Sequence, residues 1–163
     1  MNSNLLMAKT PNCFCLVRGA SEGQTTLNAF DNALLYAGVG DTNLLRLSSI
    51  LPPAAVQVDV KEMQFPKGGF IPLAYAHIDS TTAGRFISAA VAVGIPENEA
   101  EPGVIMEFED HSKLENVEST ARQMVANAFE SRNRALKEVR SIGISHNVGQ
   151  CASVFAAAVL WYQ

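Results

Sequence analysis

Two adjacent serines, Ser48 and Ser49, stand just ahead of Leu51-Pro52-Pro53. Proline fixes its own φ and restricts the residue before it. A strained peptide beside a hydroxyl is a setting in which the hydroxyl can attack the preceding carbonyl. That exchanges an amide for an ester, which can then eliminate and cut the backbone. Two serines at a strand end are equally compatible with no chemistry at all. Asn43 lies five positions before Ser48, after Gly40-Asp41-Thr42. Its amide can donate to a developing oxyanion or serve the turn.

Two carboxylates complete the set. At about 100° per residue, Asp31 falls between Leu27 and Leu35 on a helix, close to Leu34. A carboxylate inside an apolar stripe costs energy unless it is paired or neutralised. It could seat a cationic ligand or pair with an internal Arg or Lys. Glu107 shares a strand face with Ile105 and Glu109, while Val104, Met106 and Phe108 take the other. Flanked by apolar neighbours, it could have a raised pKa and act as a general acid; the alternative is a solvated strand face. G-x-S-x-G, G-x-x-x-x-G-K, H-E-x-x-H and G-x-G-x-x-G are all absent from the sequence.

The elements that must position these residues read as follows. Residues 1–10 are polar and expected to be loose. Strands are expected over 13–18, 43–50, 55–60, 70–78, 85–95, 103–109, 139–145 and 154–162. Gly19 to Gly23 reads as a turn. Thr25 or Thr26 caps a helix that runs to Ala37 and stops at Gly38 and Gly40. A second helix opens on Ser112-Lys113-Leu114-Glu115, a capping box. Its apolar stripe is Leu114, Val117, Ala121, Met124, Val125, Ala128 and Phe129. Residues 61–69 and the acidic stretch 96–102 read as loops. Ser88-Ala89-Ala90 and Ala156-Ala157-Ala158 permit close approach of another layer, so two packed sheets with helices outside are expected.

Composition narrows the function classes. The chain has 163 residues, 48% apolar and only 17% charged, with a net charge of −4. That length and apolar content suit one α+β domain with a sizeable core. An acidic balance argues against nucleic acid as a partner. No apolar run is long enough for a transmembrane helix. Residues 1–10 lack a basic region followed by an apolar one, so no signal peptide is expected. Cys13, Cys15 and Cys151 point to reduced, buried thiols in the cytoplasm rather than to a metal site, because the three histidines are scattered. So few charges suggest that part of the surface lies against copies of the same chain.

Taken together, several segments resemble the pyruvoyl-dependent arginine decarboxylases. They are Gly19 to Gly23, Leu27-Asn28-Ala29-Phe30-Asp31, Asn43 through Pro53, Gly103 to Glu109, and Phe155 to Tyr162. Their order and spacing hold from about Pro11 to the C-terminus. The resemblance implies a layered αββα sandwich in a single domain. It also implies assembly as trimers or dimers of trimers, with active sites between protomers. A proenzyme would cut itself between Ser48 and Ser49 into 1–48, the β chain, and 49–163, the α chain. Ser49 would become a covalent pyruvoyl cofactor. Its ketone would capture the α-amine of L-arginine and drain the electrons left by carbon dioxide. Agmatine, which feeds polyamine synthesis, would be the product.

By the same resemblance, Glu107 would protonate the α-carbon, Asn43 would stabilise the oxyanion of self-cleavage, and Asp31 would hold the guanidinium. Another basic amino acid as substrate, or an uncut binding or assembly protein of the same fold, are the competing readings. Lys9, Arg18 and Arg46 balance Glu22, Asp31 and Asp41 in 1–48, so the net charge lies on 49–163. A chain of about 40–60 residues is marginal as an independent fold. The cut is therefore expected only after folding.

Overall fold

The computed structural model describes residues 9–163; the expectation for 1–10 falls almost wholly outside them. Alternating burial sorts the strands. In β1 (Cys13–Glu22), Cys13, Cys15 and Val17 pack to one side, and Phe14 and Leu16 to the other. Helix α1 (Thr26–Tyr36) follows, then β2 (Asn43–Arg46), β3 (Ile50–Leu51) and β4 (Val56–Gln57). Next come β5 (Phe70–Ser80), β6 (Phe86–Pro96), β7 (Gly103–Asp110), α2 (Leu114–Glu130), β8 (Leu136–Asn147) and β9 (Ala152–Trp161).

Sheet A has the order β2-β5-β9-β1-β4 and sheet B the order β3-β7-β6-β8. Between them lies an apolar layer that includes Ala74, Ala89, Val91, Ala156 and Ala158. Helix α1 covers the outer face of sheet A, and α2 that of sheet B. The fold is thus an αββα sandwich, with the expected small residues between the sheets. Gly19 and Gly94 let the helices dock. A Cβ on Gly19 would meet the Ala33 carbonyl at 1.9 Å, and one on Gly94 would meet Phe129 and Val125 at 2.5 Å.

Four expectations need correction. First, Gly19 to Gly23 is no turn: β1 continues to Glu22 and pairs with β9 in register throughout. Second, the capping box at Ser112 does not form. The N-cap is Lys113, without a side-chain bond, while the Ser112 carbonyl accepts the buried Ser88 hydroxyl at 2.6 Å. Third, the strand expected over 55–60 is only Val56–Gln57, and a 3-10 turn follows at Val60–Glu62. Asp59 caps that turn by accepting from the Lys61 amide at 2.8 Å.

The fourth correction matters most for the site. The single strand expected over 43–50 is two short strands in different sheets. β2 pairs in parallel with β5 in sheet A, and β3 pairs antiparallel with β7 in sheet B. The chain crosses between the sheets at Leu47-Ser48-Ser49. At the opposite edge of the sandwich the sheets are tied by side chains: Arg18 donates to the Gly143 carbonyl at 2.7 Å, and His146 Nε2 lies 2.7 Å from Glu22 Oε1.

Candidate active site

The crossing places Ser49 in an unusual backbone state. Its φ is +69°, in the left-handed region, which costs a non-glycine residue roughly 1–2 kcal/mol. Its position is fixed from both sides. The Leu47 amide donates to the Leu73 carbonyl in sheet A at 3.0 Å, and the Ile105 amide of β7 donates to the Ser49 carbonyl in sheet B at 2.8 Å. The serine pair is therefore the hinge between two sheets, held in a strained turn.

Glu107 reaches this hinge because β3 is short. β3 pairs only with Gly103 and Val104, so the rest of β7 is open on that side. The Ser49 hydroxyl is 3.0 Å from Oε1 and 3.0 Å from Oε2 of Glu107. The carboxyl is 18% exposed. Burial pushes its pKa above the ordinary carboxylic range, against the opposing pull of the Ser49 hydroxyl and the Arg46 guanidinium. A cavity of 320 Å³ adjoins it, lined by Ser48, Ser49, Ile50, the β7 residues Val104 to Glu107, and Met124 and Arg132 from the α2 side. The wall is mixed, with Ser48, Ser49, Glu107 and Arg132 beside Ile50, Val104, Ile105, Met106 and Met124, and it sets one acid on the strained serine, where it can hold a proton at a defined place.

The other two candidates stand apart. Asn43 begins β2, and its amide Nδ2 donates to the Gly68 carbonyl at 2.8 Å, in the turn ahead of β5 rather than in Gly40-Asp41-Thr42. Asp31 is exposed on α1. The buried stripe of that helix is Ala29, Ala33 and Leu34, whereas Leu27 and Leu35 beside Asp31 are 73% and 53% exposed. The carboxylate thus sits in an apolar patch, but on the surface of this chain. It does not line the Ser49 cavity.

Arg46 escaped the sequence reading. Its Nη2 lies 3.8 Å from Glu107 Oε1 and donates to the Tyr75 carbonyl at 3.0 Å. The only available signal was a cation two positions before the serine pair. The thiols are not rivals for chemistry: Cys13, Cys15 and Cys151 are free and buried, and burial pushes Cys15 up to about 12. No helix among the described residues is long and apolar enough to cross a membrane.

A half-buried acid thus contacts a strained serine where the chain crosses between the sheets of an αββα sandwich. Comparison with known proteins identifies the family. The family profile for pyruvoyl-dependent arginine decarboxylase matches residues 13–163. Proteins of that name from Methanocaldococcus jannaschii and Pyrococcus horikoshii are 45% and 39% identical. The first alignment covers 95% of this chain and 93% of the relative, the second 94% and 96%. A third, from Methanococcus maripaludis, is 37% identical over 95% of this chain and 93% of its own length. The chain belongs to the pyruvoyl-dependent arginine decarboxylase family, whose enzymes depend on a covalently bound pyruvoyl group. The residues at the hinge fit that group: a serine at position 49 has the three carbons a pyruvoyl group needs, and its hydroxyl lies 3.0 Å from Glu107.

Proposed function

We propose that this chain cuts itself between Ser48 and Ser49 and then decarboxylates L-arginine to agmatine and carbon dioxide, a supply step for polyamine synthesis. The observation that carries the reading is the strained Ser49 with Glu107 on its hydroxyl. In the cut, Ser49 Oγ attacks the Ser48 carbonyl carbon, and the C–N bond gives way to an ester. Elimination frees the Ser48 carboxylate and leaves a dehydroalanine at position 49. Its tautomer takes up water and releases ammonia, leaving the pyruvoyl end. The left-handed φ raises the energy of the starting peptide and so favours its opening. Asn43 is assigned to the oxyanion on the Ser48 carbonyl. That role requires its amide to leave Gly68.

A pyruvoyl group at position 49, beside Glu107, would supply an electron sink for loss of the substrate carboxylate. Glu107 then delivers its proton to the substrate α-carbon. Its raised pKa keeps that proton available at higher pH than an ordinary carboxyl would. Val104, Met106 and Met124 supply the apolar part of the wall beside Glu107.

The guanidinium is assigned to Asp31 of a second copy. Asp31 is exposed on α1, outside sheet A, among Leu27, Leu35 and a Tyr36 that is 76% exposed. Beside Ser48 runs a larger apolar groove of 710 Å³, with Leu45, Phe70 and Trp161 among its walls. An apolar helix face and an apolar groove on one chain suit self-association. A trimer, or a pair of trimers, would bring Asp31 to the neighbour's site. A charge-assisted fork from a carboxylate suits a guanidinium. Free thiols suit the cytoplasm.

Intact-mass analysis of the purified protein tests the reading. Two chains, the larger starting with a blocked residue 49, are expected. A single species of 17.5 kDa would overturn it. Assay of the cut protein with arginine, lysine and ornithine then fixes the substrate, with arginine expected to be preferred.

A further inference from the structure

We propose that Arg46 is a positioning residue for decarboxylation, holding the Glu107 carboxyl in place from the part of the chain that precedes the cut. The inference rests on Glu107 as the proton donor. Arg46 is the last residue of β2 in sheet A, and Glu107 belongs to β7 in sheet B. The guanidinium is anchored twice on Tyr75 of β5. It lies over the ring at 4.5 Å from the centroid, and Nη2 donates to the Tyr75 carbonyl at 3.0 Å. Tyr75 is itself backed by the buried Phe155, with ring centroids 5.4 Å apart. The side chain is 56% exposed, so these two contacts with Tyr75 are what hold the cation, and it reaches Glu107 Oε1 at 3.8 Å, an ion-pair distance without a direct hydrogen bond. Arg46 does not line the 320 Å³ cavity, so it acts through Glu107 rather than on the substrate.

The charges around Glu107 are few, which lets one cation matter. Glu109 stands two positions along the same strand, and its charge favours a protonated Glu107. The Ser49 hydroxyl and Arg46 favour the carboxylate. Arg132, from beyond the end of α2, lines the same cavity but donates to the Ala128 carbonyl. The cross-strand neighbour in β6 is the apolar Val91. Arg46 therefore opposes the effect of burial through its charge, on the side of Oε1. It sits two residues from the end of the future β chain, which would give that piece a part in turnover after the cut. Lysine could supply the charge but not the guanidinium's paired contacts with the Tyr75 ring and carbonyl.

The test follows kcat against pH for cut enzyme carrying Arg46→Met, Arg46→Lys or Tyr75→Leu, with cleavage checked by intact mass. A proton donor loses activity as pH rises through its pKa. Removing the cation raises the pKa of Glu107, so the descending limb of Arg46→Met moves to higher pH and its plateau falls. Arg46→Lys keeps the limb near that of the unaltered enzyme, with a lowered plateau. Tyr75→Leu loosens the guanidinium without removing it, so kcat falls and the limb moves the same way as in Arg46→Met, but less far. An unmoved limb in cut Arg46→Met, or an unchanged kcat in Tyr75→Leu, would overturn the proposal. Glu107→Gln is the control: full turnover there removes the acid role itself. An inactive Glu107→Gln beside an unmoved Arg46→Met limb removes only the role of Arg46.

Discussion

Both carboxylate oxygens of Glu107 lie 3.0 Å from the Ser49 hydroxyl, joining residues 58 positions apart in sequence. On the proposed reading, the contact that orients the serine before a cut would leave an acid beside residue 49 after it. The two jobs separate on substitution. In Glu107→Gln the amide oxygen still accepts the hydroxyl, so two chains of normal mass are expected. The amide has no acidic proton, and arginine decarboxylation should fall by about 10²- to 10⁴-fold. Intact mass and agmatine formation are the two measurements. Robust turnover would take the acid role away from Glu107.

Asn43 gives the opposite separation. Its side chain serves the Gly68 carbonyl at 2.8 Å, while its backbone amide donates to the Gly69 carbonyl at 2.8 Å. Asn43→Ala leaves the backbone bond, so β2 should keep its register. If the amide assists the oxyanion, the variant cuts more slowly, by about 10²- to 10³-fold for one lost donor. A time course of the two chains reads this. Cleavage at the unaltered rate would leave Asn43 with the turn alone.

Asp31→Asn addresses the substrate. A neutral amide loses the charge-assisted fork, and about 1.5–3 kcal/mol of binding with it. That corresponds to roughly a 10- to 150-fold loss in kcat/KM for arginine. Cleavage should be unaffected, because Asp31 does not line the cavity at Ser49. Co-expression with Glu107→Gln provides the second readout. If Asp31 serves a neighbour, mixed assemblies contain interfaces with both residues intact, and part of the activity returns. No recovery would place Asp31 outside a shared site.

The parts of this fold that local pattern decides were legible. Thr25 caps α1, accepting from the Asn28 amide at 3.2 Å, and Gly38 ends it at φ +81°. The stripe of α2 from Val117 to Phe129 is buried as its spacing requires. What stayed hidden depends on the partner rather than the segment. Leu44, Leu45, Leu47 and Ile50 look alike whether they line one strand or two, and only β5 and β7 decide the break. Gly19 reads as a turn residue, yet it is there so that α1 can approach β1. Asp31 lies off the buried stripe of Ala29, Ala33 and Leu34, among the exposed Leu27 and Leu35, and a helix apolar on several faces does not say which face this chain covers itself. Ser49 and Glu107 were each picked out by type; that they touch follows from the short β3.

The last prediction concerns Glu22, at the edge of the sandwich away from the site. Its carboxylate accepts three backbone amides, from Gly149 at 2.8 Å, Gln150 at 3.1 Å and Cys151 at 3.0 Å, and faces His146 Nε2. It thereby ties β1 to the turn between β8 and β9. Chiefly the Gly149 amide, helped by the others and by His146 against some desolvation, lowers its pKa to about 2. In the unfolded chain the group returns to about 4.3. A depressed folded value means that the stabilisation is full above the unfolded pKa and is lost as pH falls from there towards about 2. Glu22→Gln has no charge to lose. Its urea midpoint at pH 7 should lie below that of the unaltered protein, and the gap should narrow between pH 5 and pH 3. Measuring both proteins at the same pH values cancels the other carboxylates. A gap that stays constant across that window would mean that Glu22 contributes shape rather than charge.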